Sequence, residues 1–203
     1  MIAGVAFLLG LELHPNMSGN MEDDLFVNLG RRRNLKPAQV QTRIDKGKER
    51  LLPNEYVGMS RASYNQLLLD VATTYNSESD VWGWKDPSAW KYLEDIIGRL
   101  RNPYVILVTR DPTAVATARQ ANVPNESPIV SLDSVFQRYF HYLAIIKEFE
   151  VPALIVSYER AKLHPDKLAE ELADFLHLRL TPEALKQIEQ YCSPNGGYLV
   201  LRT

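Results

Sequence analysis

Residues 104–110 read YVILVTR, and Asp111 and Pro112 follow at once. An unbroken apolar, β-branched run of this length is a strand buried on both faces. Asp111 as cap and Pro112 at the first helical position then open a helix over 111–123. ALIVSYE (153–159) repeats the strand pattern after a long amphipathic helix at 131–150. VWGWK (81–85) is a shorter strand-like run. Short apolar strands alternating with helices specify an α/β protein with a parallel sheet.

Further helices are expected at 2–13, at 60–75 with Ser60 as cap, at 88–100 with Ser88 as cap, and at 165–176 and 182–192, each near a proline. HPNMSGNMED (14–23) is a loop, RRRNLKP (31–37) a basic stretch with the character of a solvated face, and 38–51 alternate in charge at helical spacing. No repeat, low-complexity segment or linker divides the 203 residues, so a single domain over 1–203 is expected.

Charge and cysteine content narrow the function. Net charge is -2, so nothing global attracts nucleic acid and any anion site must be local. One cysteine, Cys192, excludes an internal disulfide and suits a reducing compartment. His14, His141, His164 and His177 lack metal-ligand spacing, so no metal site is expected. The apolar start MIAGVAFLLGLEL lacks a basic leader and is shorter than the roughly 20 residues a membrane span needs. It reads as a buried helix, and the protein as cytoplasmic.

Ligands of parallel sheets bind beyond the carboxyl ends of the strands. Three places qualify: Lys85-Asp86-Pro87, Arg110-Asp111-Pro112 and Ser157-Tyr158-Glu159. Arg110 offers a planar fork to phosphate or sulfate, the following helix offers free N–H groups, and Thr113 and Thr117 offer hydroxyls. Equally, Arg110 could pair with Asp111 or a nearby acid and only tie strand to helix. Asp86 could take a proton from a substrate hydroxyl, with Lys85 as a cation beside it, or it could cap the next helix. Trp82 and Trp84 suit either a stacking wall or the core. Tyr158 could pack on an adenine, while Glu159 and Arg160 could pair at the surface.

Taken in order, WGWKDP, VILVTRDPTAVATA and LIVSYERAKLHPDKLAEELADFLHL resemble the sulfotransferase family, its bacterial branch in particular. LLGLEL and NMSGNMEDDLF resemble the stretch after that family's first helix. The resemblance implies a three-layer, P-loop NTPase-like α/β fold. It implies transfer of a sulfuryl group from 3′-phosphoadenosine 5′-phosphosulfate (PAPS) to a hydroxyl or amine of a small-molecule or carbohydrate acceptor, without a metal. By resemblance Arg110 would hold the 3′-phosphate and Tyr158 would lie near the nucleotide. The family's serine eight residues after that arginine is Ala118 here, with Thr117 beside it. Asp86 would be the first candidate base, Glu22 the second, and Lys85 would steady the transferring group.

The family opens with a strand and a phosphate-binding loop, and the chain is expected to be N-terminally truncated before that loop. GRRR (30–33) has suitable residues but follows no strand. A lost central strand would leave unpaired backbone groups, each costing about 1 to 3 kcal/mol if buried, against about 5 to 15 kcal/mol of total stability. Repacked strands, a partner chain, or an extended MIAGV would have to fill the gap. Such a chain would keep 3′-phosphate recognition at most and transfer sulfate poorly. A small-molecule kinase relative would need a Walker loop, GxxxxGK[ST], which the sequence lacks. A non-catalytic scaffold or binding protein is the other rival. Acceptor identity and oligomeric state stay open, a homo-oligomer included.

Overall fold

The computed structural model describes residues 1–13, 59–122 and 126–193, the side chains of 119–122 excepted. Contacts divide the chain into two compact units, Met1–Leu11 with Asn102–Thr203, and Glu12–Arg101.

The first unit is built on two strands, β3 (Val105–Thr109) and β4 (Ala153–Ser157). They pair in parallel, with Val105 opposite Ala153 and Thr109 opposite Ser157. The long helix α5 (Pro128–Glu148) returns the chain from one strand to the other, as a parallel pair requires. Helix α4 (Pro112–Asn122) follows β3 and packs on α5. After β4 come α6 (Tyr158–Leu163), α7 (Pro165–Phe175) and α8 (Pro182–Cys192).

Helix α1 (Ile2–Leu8) completes this unit. Its Ile2, Val5 and Leu9 join Leu168, Leu172 and Ile188 of α7 and α8 in one core. Ile106, Leu154 and Val156 of the strands meet that core from the sheet side. Leu107, on the alternate face of β3, is buried as well. Gly4 permits the approach of α1 to α8, since a Cβ there would lie 2.5 Å from the Tyr191 hydroxyl.

The predicted helix over 2–13 stops early. Gly10 takes a positive φ of 97°. Its N–H donates to Phe7 and that of Leu11 to Ala6, the double bond that closes a helix end. The chain then enters β1 (Glu12–Leu13). Because Ile2–Leu8 is helical, an extended MIAGV does not occur, and that way of filling a gap is withdrawn.

In the second unit β1 pairs in parallel with β2 (Trp82–Gly83), so the expected strand at 81–85 shrinks to two paired residues. Helix α2 (Arg61–Glu78) begins as expected, with the Ser60 side chain accepting from the Ser63 N–H. The single helix expected over 88–100 is broken. A 3₁₀ turn at Ala89–Lys91, one helical turn α3 (Leu93–Ile96) and a second 3₁₀ turn at Ile97–Arg99 replace it. Tyr92 marks the break, with φ -141° and ψ -14°, outside helical values. It is fully buried, and its hydroxyl is tied to Asp86 and Trp84. Ser88 makes no cap bond through its side chain.

No helix among the described residues is long and apolar enough to cross a membrane.

Candidate functional site

The end of β3 delivers Arg110 to the surface, and α4 starts two residues later. Asp111 does not pair with Arg110. Its Oδ1 accepts from the Thr113 N–H at 2.9 Å, which caps the first turn of α4 as its position predicts. No salt bridge joins Arg110 to a carboxylate among the described residues. Its guanidinium instead lies over the Tyr158 ring, 5.1 Å from the centroid. Register explains the meeting. Thr109 and Ser157 are paired, so the residues that follow each strand emerge side by side.

Two further residues hold this corner, and sequence reasoning missed the role of both. Tyr139 of α5 accepts the Arg110 N–H at 3.0 Å and donates its hydroxyl to the Arg110 carbonyl at 3.2 Å. One phenol thereby satisfies both backbone groups of the residue between strand and helix. Glu159 accepts the Asp111 N–H at 3.0 Å, which places a carboxylate against the start of α4. That bond holds the Glu159 carboxyl below the ordinary carboxylate range, with weaker help from its own backbone N–H, Ser157 and the Arg110 charge. The surface pair expected between Glu159 and Arg160 does not form. Arg160 bonds Glu171 at 3.2 Å instead. Paired strand ends were the available signal for Glu159. Nothing local pointed to Tyr139, which lies 29 residues from its partner.

Thr117 and Ala118 are both exposed on α4. The Thr117 hydroxyl donates to the Thr113 carbonyl at 2.9 Å, so it must rotate to serve a ligand.

The second strand end has a different character. Lys85 and Asp86 are half-buried. Asp86 Oδ1 accepts the Ser88 N–H at 2.8 Å, and Oδ2 accepts the Tyr92 hydroxyl at 3.1 Å. The same hydroxyl accepts the Trp84 indole N–H at 3.0 Å. The Trp82 indole N–H donates to Asn76 at 2.9 Å. The two indoles stack, with centroids 5.7 Å apart and planes 28° from parallel. Asp86 therefore organises its own turn, yet a carboxylate has about four lone-pair positions and can accept more than two bonds. Trp90 is half-buried, with the Lys91 ammonium 5.6 Å from its ring centroid. Glu22 lies outside the described residues, as do GRRR and NMSGNMEDDLF.

Among the described residues no group of three or more His, Cys, Asp and Glu converges as a metal site would. Cys192 is half-buried, and burial pushes its thiol up.

Residues 8–182 match the model of one protein family, described as the sulfotransferase family. The chain has no match among curated proteins or solved structures.

Proposed function

The chain belongs to the sulfotransferase family, and from that premise we propose that it moves a sulfuryl group from PAPS to a hydroxyl or amine of a small-molecule or carbohydrate acceptor. The same reading takes the parallel strands as part of a three-layer, P-loop-like fold and the protein as cytoplasmic. The co-substrate would supply the activated sulfuryl group, and the protein's residues would do the rest.

Arg110 would bind the 3′-phosphate through its planar fork, with Thr117 and the backbone around Ala118 beside it. Tyr158 would pack on the nucleotide. Lys85 would steady the transferring group with a compact positive charge. Asp86 would take the acceptor's proton, and Glu22 is the second candidate for that role.

The observation that carries this reading is the state of Arg110. Its backbone is fixed by Tyr139, while its guanidinium, with no salt bridge among the described residues, rests on an aromatic face. A cation positioned this way can receive a phosphate without first giving up a carboxylate. A non-catalytic binding protein is favoured by one observation, that both Asp86 oxygens are already engaged within its own turn. Transfer of labelled sulfate from PAPS to a panel of phenols, sugars and amines separates the two. Transfer that disappears in Asp86→Asn supports the enzyme. Normal nucleotide binding with no transfer to any acceptor would support the binding protein.

A further inference from the structure

Helix α5 has two unlike faces. One buries Ser131, Val135 and Ile145 against its own unit. The other leaves Ile129, Phe136, Phe140 and Leu143 exposed at 78%, 43%, 65% and 41%. These positions step by seven, four and three residues, the spacing of a coiled-coil seam rather than of scattered surface residues. Asp133 and Lys147 occupy the remaining seam positions, and both are exposed. The helix already has its core face, so the outer stripe is not needed to hold it in place. An apolar stripe on a surface helix, with Asp133 set into it and Lys147 at its far end, is the pattern of a protein contact.

We infer that α5 is a self-association surface, on which a second copy of this chain docks antiparallel to the first. Direction follows from charge. An antiparallel pairing that sets Phe136 opposite the copy's Phe140 brings Asp133 within one turn of the copy's Lys147, and the two-fold axis repeats that contact at the other end. A parallel pairing would set Asp133 against Asp133 and Lys147 against Lys147, and like charges facing each other oppose association. The 21-residue helix is about 30 Å long, so one helix pair makes a small interface. Association is therefore concentration-dependent. The inference does not rest on the sulfotransferase reading.

Sedimentation velocity across a wide concentration range tests it. The unaltered chain should move from 23.1 kDa toward twice that mass as concentration rises. Phe140→Glu and Asp133→Lys should each hold the chain at the lower mass, with unchanged circular dichroism. The double variant Asp133→Lys with Lys147→Asp should associate again, because the exchanged charges still meet in the antiparallel arrangement. A monomer at every concentration overturns the inference. So does a dimer indifferent to both single variants, which would use another surface. A monomer that Phe140→Glu unfolds overturns it too, since the stripe would then be covered by the chain itself. A monomer that sediments with phosphatidylcholine vesicles assigns the stripe to lipid instead.

Discussion

The ends of β3 and β2 look alike in sequence, each a basic residue, then an aspartate, then a proline. Folding treats them differently. At Arg110 the neighbouring elements take charge of the backbone: Tyr139 holds both Arg110 backbone groups, and Glu159 holds the Asp111 N–H. Asp111 caps α4, and the guanidinium is left over a ring. At Asp86 the side chain itself does the holding, with one oxygen on Ser88 and the other on Tyr92. A polar group after a strand is a strong candidate for chemistry when its neighbours take over the local structural work. It is a weaker one when the group is its own scaffold. Arg110 belongs to the first kind, and Asp86 to the second.

The variant that strains this contrast hardest is Asp86→Asn. As a base, Asp86 is worth about 10²- to 10⁴-fold in rate. The account expects kcat to fall by that order, while an amide oxygen still accepts the Ser88 N–H and preserves most of the turn. A melting point that collapses with the rate would assign Asp86 to structure alone. Removing Arg110 ranks second. A bond to a charged partner contributes about 1.5 to 3 kcal/mol, so Arg110→Ala should weaken binding of adenosine 3′,5′-bisphosphate roughly ten- to hundredfold. Calorimetry would read this, with circular dichroism unchanged because the side chain is exposed.

Tyr139→Phe probes how the corner is built. It deletes one hydroxyl and two hydrogen bonds, each worth about 0.5 to 1.5 kcal/mol net. Melting should drop modestly, and nucleotide affinity should fall less than in Arg110→Ala. An affinity loss as large as that of Arg110→Ala would mean that Tyr139 touches the ligand. Glu159 gives the smallest effect. Its carboxyl is held below its ordinary range, chiefly by the Asp111 N–H. Its contribution is therefore full above the unfolded carboxyl range and is lost as pH falls through the lowered folded value. Glu159→Gln should flatten that acid limb of stability against pH, with a small loss at neutral pH and almost none at strongly acid pH, where Glu159 is already protonated. An unchanged acid limb would mean that the Glu159–Asp111 bond does not persist in solution.

Much of this was legible because the signals were local. YVILVTR and ALIVSYE each announced a strand, and Ser60 and Asp111 announced helix starts. What stayed hidden was tertiary. Tyr139 reaches Arg110 across 29 residues and Glu159 reaches Asp111 across 48. The helix expected over 88–100 breaks because the buried Tyr92 hydroxyl answers to Asp86 and Trp84 rather than to helical periodicity. The early stop of α1 was readable in principle, since Gly10 is the residue type that takes a positive φ at a helix end. The even apolar run through Leu13 concealed it. The outer stripe of α5 was visible as part of a strong amphipathic pattern, but only the fold separates the apolar residues left outside from those buried.

The central claim is that Arg110 stands ready for a phosphate, and thermal denaturation with adenosine 3′,5′-bisphosphate tests it most directly. At about 100 times its dissociation constant a ligand adds roughly 2.7 kcal/mol of stability. The account predicts a clear upward shift for the unaltered chain that vanishes in Arg110→Ala. A shift that persists in Arg110→Ala, or no shift at any ligand concentration, would contradict it.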